Sequence, residues 1–215
     1  NVNECVGGLD QMTVAISGGS GLVSYQWQSS TDGNAPWANA VGTGSTTNTF
    51  TPPSATPGTT YYRVLVNATG SDCQQAVSSV VTAIIIPDIT VTTQPTNVNE
   101  CVGGLDQMTV AISGGSGLIS YQWQSSTTGN EPWANAIGTG STTNTFTPPS
   151  ATPGTTYYRV LVNASNSDCQ QAVSSVVTAI IIPDITVTTQ PTNVNECIGG
   201  LDQMTVAISG GSGLI

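Results

Sequence analysis

Residues 119–126 read ISYQWQSS, and residues 156–162 read TYYRVLV. In the first stretch Tyr121 and Trp123 fall on one face and Gln122 and Gln124 on the other. In the second, Tyr158, Val160 and Val162 point one way and Arg159 the other. Alternation with period two marks half-buried strands. Every patterned segment around these two has the same period. ITVTTQ (89–94) reads as a first strand, continued by NVNEC (97–101). QMTVAIS (107–113) is the next, with Met108, Val110 and Ile112 inward. WANA (133–136) is a short strand after the turn TTGNEP. NTFT (144–147) is another, before the breaker PPSATPG, and AVSSVVTAIII (172–182) is the last. Clusters of Gly, Pro, Ser and Asn fill the gaps, as turns require. Seven to eight short strands in under 100 residues, with no helical spacing, predict an all-β sandwich.

The whole pattern is copied. NVNEC opens at Asn1, Asn97 and Asn193, a repeat of 96 residues. The first two copies differ at six positions only: Val23/Ile119, Asp32/Thr128, Ala35/Glu131, Val41/Ile137, Thr69/Ser165 and Gly70/Asn166. The expected organisation is a repeat over 1–87 that lacks its first strand, a complete repeat over 88–183, and the start of a third over 184–215. The third copy stops at Ile215 and no initiator Met is present, which suggests a window onto a longer array. Near-identical tandem copies suit a stalk, a fibre or a multivalent surface better than an active site. Only Pro87 and Asp88 separate the last strand of one copy from the first of the next, so a stiff linear array is expected.

Composition narrows the partners. Charged residues make up 7% of the chain, against about 25% in ordinary soluble proteins. The net charge is −10, and the only cations are Arg63 and Arg159. That argues against nucleic acid, whose phosphates need cations, and against anionic lipid surfaces. The longest apolar run is short (AIII, 83–86), so no membrane-spanning helix is expected. With no His and no Lys, the common general bases and amine nucleophiles are missing, and an enzyme is not expected. Alternation puts Arg63 and Arg159 on an outer face, opposite Tyr62 and Tyr158. There they either cover the sheet surface or anchor a neighbouring chain. The last strand is apolar on both faces: Val80, Ile84 and Ile86 on one, Val81, Ala83 and Ile85 on the other. Its second face is expected to be covered by another domain, the first strand or another chain.

The combination of C-x-G-G, GGSG, YQWQSS, GTTYYRV and a Cys in the turn before the last strand resembles the Ig-like repeats of Bacteroidetes surface proteins. That family includes giant cell-surface adhesins of the gliding or prey-attachment type and filament proteins exported by the type IX route. The resemblance covers both full copies. It implies tandem immunoglobulin-like domains, an extracellular or cell-surface location and a role in attachment. One departure matters. The usual Ig disulfide between the second and sixth strands is absent, and Val14 and Val64 or their neighbours stand there. The core is therefore apolar and centred on Trp27 or Trp123, with Tyr62 and Tyr158 beside them.

Cys5, Cys73, Cys101, Cys169 and Cys197 fit an oxidising compartment. In an Ig sandwich, the turn after Cys5 and the turn holding Cys73 sit at opposite ends. A disulfide needs Cα atoms within about 7 Å. A Cys5–Cys169 bond across the junction of two copies fits that geometry, while an in-domain Cys5–Cys73 bond, an interchain bond or free thiols are the alternatives. Glu4, Asp10, Asp88 and Asp168 gather near the same junction. Calcium is one reading of them and solvated turn residues the other; no other cofactor is expected. Two functions remain. One is a structural segment of a self-associating, homo-oligomeric filament used for attachment. The other is a single-chain multivalent adhesin whose repeats bind glycans or proteins on a target-cell surface.

Overall fold

The computed structural model describes residues 1–19, 21–69, 74–165 and 169–211. Among these residues every regular element is a strand. The first copy holds β1 (Val2–Cys5), β2 (Met12–Thr13), β3 (Val23–Ser30), β4 (Ala38–Asn39), β5 (Thr49–Phe50), β6 (Gly58–Ala68), β7 (Ala76–Val77) and β8 (Val81–Ile86). The second holds β9 (Thr90–Thr93), β10 (Val98–Cys101), β11 (Met108–Thr109), β12 (Ala111–Ser113), β13 (Ile119–Ser126), β14 (Ala134–Asn135), β15 (Thr145–Phe146), β16 (Gly154–Ala164), β17 (Ala172–Val173) and β18 (Val177–Ile182). The third begins with β19 (Thr186–Thr189) and β20 (Ala207–Ser209).

The two full copies share one architecture, an Ig-like sandwich. A large sheet runs β1-β8-β6-β3-β4 in the first copy and β10-β18-β16-β13-β14 in the second. Facing it are short pairs: β2-β5 in the first copy, β11-β15 and β12-β9 in the second. Strand β6 pairs antiparallel with β3 along eight residues, Val23↔Ala68 to Ser30↔Tyr61.

The expected first strand does not continue straight from 89–94 into 97–101. Its first half, β9, pairs with β12. Its second half, β10, lies parallel to β18 on the large sheet, Val98↔Ala179 to Cys101↔Ile182. Pro95 lies between them, buried and without an N–H to give to a ladder, so the chain leaves one sheet and joins the other there. The last strand is also broken, at Ser174. Its Oγ accepts the N–H of Val160 at 3.0 Å and donates to Ser175 O at 2.9 Å, so a side chain replaces one ladder bond.

The core of each copy is an aromatic stack. Trp27 lies on Phe50 at 5.3 Å and Phe50 meets Tyr62 at 5.1 Å; Trp123, Phe146 and Tyr158 repeat this at 5.2 and 5.1 Å. All six rings are buried. Each indole N–H is satisfied by a carbonyl, Thr47 O or Thr143 O, at 2.9 Å. The stack dictates a glycine nearby. A Cβ on Gly42, at φ +153°, would come within 2.6 Å of the Phe50 ring and of Thr51 O. Val64, near the expected site of the missing Ig disulfide, is fully buried among these rings.

Two compact units are present. One comprises Asn1–Thr90 with Ile112–Ser120 and Val162–Ala172; the other comprises Val91–Ala111, Tyr121–Leu161 and Val173–Ile215. The first unit therefore includes two segments of the second copy.

Candidate functional site

The ECVGG segment begins the site. Strand β1 runs parallel to β8, Val2↔Ala83 to Cys5↔Ile86, and brings Cys5 to the end of the large sheet. The turn after it is braced by Glu4, whose Oε2 accepts the N–H of Asp10 at 2.8 Å. Glu100 and Glu196 do the same for Asp106 and Asp202, at 2.8 and 2.9 Å. This brace explains the second glycine of the motif: a Cβ on Gly8, Gly104 or Gly200 would collide with that carboxylate. Ser54 Oγ donates to Gly8 O at 2.7 Å, and Gly7 N–H to Ser54 O at 3.0 Å, so the turn is held to the PPSATPG loop as well.

Within the first compact unit, Cys5 forms a disulfide with Cys169, Cα to Cα 4.9 Å, across a sequence separation of 164. The segment 87–90 is fastened in the same place. Gly115 N–H donates to Pro87 O at 2.8 Å, Gln170 N–H to Asp88 Oδ1 at 3.2 Å, and the hydroxyls of Thr90 and Ser113 are 2.9 Å apart. Ile89 is buried so close to Gly115 that a Cβ there would lie 2.7 Å from Ile89 Cγ1. The GGSG motif is thus a seat for the segment that links two copies. In the chain-entropy picture a loop of this length makes the disulfide worth about 5 kcal/mol.

Of the other cysteines, Cys101 and Cys197 are exposed thiols. Cys73 and Asp168 lie outside the described residues. Cys5 Sγ, Asp88 and Cys169 Sγ offer ligand atoms within 4.8 Å of one another. With both sulfurs in a disulfide, a single carboxylate remains, Glu4 is turned to the Asp10 N–H, and Asp10 is exposed. Calcium needs six to eight oxygens, so this donor set does not fit it.

Each arginine has partners inside its own copy. The Arg63 guanidinium lies 4.5 Å over the Trp37 ring and its Nε donates to Gln28 Oε1 at 2.9 Å. Arg159 lies 4.4 Å over Trp133, with Gln124 Oε1 at 2.9 Å. Glu131, which replaces Ala35, adds an ion pair to Arg159 at 3.1 Å. Trp37 and Trp133 were not singled out by sequence reasoning. The signal for them was the placement of the only cations on a sheet face next to a tryptophan-bearing edge strand. Burial pushes the Tyr62 and Tyr158 hydroxyls above the usual phenol range, and the Thr60 and Thr156 side chains partly offset it.

Several large apolar residues stay on the surface at matching positions in both copies: Leu9 and Leu105, Leu22 and Leu118, Val41 and Ile137. On the last strand Ala83 and Ile85 are buried and Ile84 is exposed, with Ala179, Ile181 and Ile180 the same.

A tandem pair of immunoglobulin-like sandwiches is the class this geometry defines. The chain belongs to the family described as Domain of unknown function (DUF8696), which matches residues 2–87 and 90–183. A search of curated proteins gave no match. Among solved structures, the N-terminal eight Ig domains of Down Syndrome Cell Adhesion Molecule are similar at 12% identity and TM-score 0.50, over 83% of this chain and 23% of that one. Titin domains I67–I69 are similar at 11% identity and TM-score 0.49, over 90% and 66%. The Sidekick-1 immunoglobulin domains 1–5 are similar at 12% and 0.36, over 88% and 41%. The chain thus spans under half the length of the Sidekick-1 and Down Syndrome Cell Adhesion Molecule chains. The likeness to the Down Syndrome Cell Adhesion Molecule domains agrees with the Ig-like fold. No helix among the described residues is long and apolar enough to cross a membrane.

Proposed function

We propose that these repeats are a structural segment of a long extracellular filament or stalk by which a bacterium attaches to cells or surfaces, with several chains side by side. The observation that carries the reading is the recurrence of uncovered aliphatic side chains. Leu9, Leu22, Val41 and Ile84 reappear as Leu105, Leu118, Ile137 and Ile180, all exposed. Each contact they make is small, but it recurs with every copy, and many weak contacts in register give a stable bundle. The net charge of −10 is spread over 215 residues and is screened within a few ångströms at high salt, so parallel chains are not held apart. The resemblance of the C-x-G-G, YQWQSS and GTTYYRV motifs to Bacteroidetes adhesin repeats supports the surface location and the attachment role. The disulfide fits an oxidising exterior.

The test is sedimentation of the 215-residue chain at rising concentration and salt. Association is expected, and it should weaken in a variant carrying Leu22→Ser, Leu118→Ser, Val41→Ser and Ile137→Ser. A chain that stays monomeric throughout would favour the second reading, a single-chain multivalent adhesin. That reading is supported by the stacks of Arg63 on Trp37 and Arg159 on Trp133, amide-flanked surfaces of the kind a glycan or protein could meet in every copy.

A further inference from the structure

The Cys5–Cys169 bond closes a covalent loop over residues 6–168. That loop contains β2 to β16, and with them both aromatic stacks, Trp27–Phe50–Tyr62 and Trp123–Phe146–Tyr158. Outside it lie β1, ahead of Cys5, and β17 to β20, behind Cys169. A pull between a point ahead of Cys5 and a point behind Cys169 therefore passes through the two sulfurs, and the loop is not in its path. The strands left in that path have little length to give. β1 pairs with β8 from Val2↔Ala83 to Cys5↔Ile86, and a paired strand already rises about 3.3 Å per residue, close to the limit of the chain. Cys5 is its last residue, so tension along β1 meets the sulfur with no slack between. β17 and β18 are extended too and lie along one neighbour, β16, with β18 paired from Tyr158↔Val177 to Gly154↔Ile181.

We propose that this bond is a tension-bearing element: it carries a pull past the cores of both copies, which stay folded under load and are stretched only after the bond opens. The surroundings protect it. Cys5 is fully buried and Cys169 half-buried. Pro87 O is 3.9 Å from Cys5 Sγ, and the Asp88 carboxylate lies within 4.8 Å of both sulfurs. A thiolate approaching them meets a negative charge and little open surface, so exchange is slow while the first copy is folded. Stability against heat and resistance to pulling are then separate properties of the chain. The first lies in the aromatic stacks, the second in the sulfurs. This function stands independently of the side-by-side bundle, because a single chain holds every part of it.

The experiment stretches single molecules of the whole chain in an optical trap, between tethers ligated to residues 1 and 215. The oxidised chain should extend to no more than about 18 nm, the reach of residues 1–5 and 169–215. Adding dithiothreitol should release about 55 nm more, the reach of residues 6–168. Cys169→Ser should give the same long extension without any reductant. Trp27→Ala should lower the force of that release in the reduced chain and give no such release in the oxidised one. An oxidised chain that extends to the full length, or a reductant that adds nothing, overturns the proposal. So does Trp27→Ala if it releases its copy before any reductant is added.

Discussion

Cys5 and Cys101 stand at the same place in two copies of nearly the same sequence. One is fully buried in a disulfide, the other is an exposed thiol. The residues around them follow: Glu4 is buried and Glu100 half-buried, Ile89 is buried and Ile185 exposed. Local sequence cannot be the cause, since 1–22 and 97–118 are identical. The difference comes from the second copy: Cys169 bonds Cys5, and Gly115 N–H holds Pro87 O beside it, both within the first compact unit. The cores behave in the opposite way. Trp27 and Trp123 have nearly equal stacking distances, 5.3 and 5.2 Å, and equivalent carbonyl partners, because their ring and hydrogen-bond partners lie in their own copy. A repeat of this kind therefore has two kinds of stability, one intrinsic to each copy and one supplied by the next.

The largest effects should fall on the intrinsic part. Trp27→Ala and Trp123→Ala are each expected to cost their own copy about 3–5 kcal/mol. The losses should be alike within about 1 kcal/mol, since the stacks match. Denaturant melts followed by amide exchange in each copy measure both. Unequal losses would show that the core of one copy depends on something outside it.

The supplied part comes next. Cys5→Ser should destabilise the first compact unit by about 2–5 kcal/mol, the upper end being the chain-entropy value for so long a loop. In this 215-residue chain, Cys101→Ser at the equivalent position should change almost nothing. Paired melts of the two variants under non-reducing conditions give the contrast directly, and a loss on Cys101→Ser equal to that on Cys5→Ser would break the comparison. Peptide mapping without reduction should recover the 5–169 pair.

What was legible in the sequence divides along the same line. Period-two alternation exposed the strands, and the YQWQSS and TYYRV stretches exposed the aromatic core, because both depend on residues near in sequence or on one fold-wide pattern. The Cys5–Cys169 pairing was one of several alternatives, favoured only after the Ig resemblance placed the two turns at opposite ends of a sandwich. The crossing of the first strand from one sheet to the other was not visible, though Pro95 marks it. Nor was the break at Ser174, where a single hydroxyl takes over a ladder bond. The stacking of Arg63 on Trp37 was missed because it joins a strand residue to one just before β4, with no shared period.

A smaller effect separates the copies on the arginine face. Arg159 has Glu131 as a partner, and the first copy has Ala35 at the equivalent position. The Glu131 carboxylate is largely exposed, so the pair is worth at most about 1 kcal/mol. Glu131→Ala should therefore lower the stability of the second copy slightly at low salt and not at all at high salt. The stack on Trp133 should hold Arg159 in place in both conditions. Arg63→Ala and Arg159→Ala should each cost about 1 kcal/mol through the lost ring contact, and a much larger loss at either would give the arginine a role beyond its own copy.

The smallest expected effect is acidic and confined to the first copy. Asp32 Oδ1 accepts the N–H of Asn34 at 2.9 Å and the Ser30 hydroxyl at 2.9 Å. These bonds, the Asn34 N–H first, hold its carboxyl below the ordinary value of 3.8. A carboxyl lowered in the folded state favours folding above its unfolded value, and the contribution disappears as pH falls through the folded one. In the second copy Thr128 holds the same turn without a charge, its hydroxyl 3.3 Å from both Ser126 Oγ and the Asn130 N–H. The first copy should thus loosen slightly at this turn below about pH 4 while the second does not. Asp32→Thr should remove the difference, and Thr128→Asp should create it in the second copy. Side-chain carboxyl titration by NMR, read beside the exchange of the Asn34 and Asn130 amides, tests both variants. An Asp32 that titrates at or above 3.8 in the folded chain would mean that the turn is held by its backbone alone, and that this substitution between the copies is without structural effect.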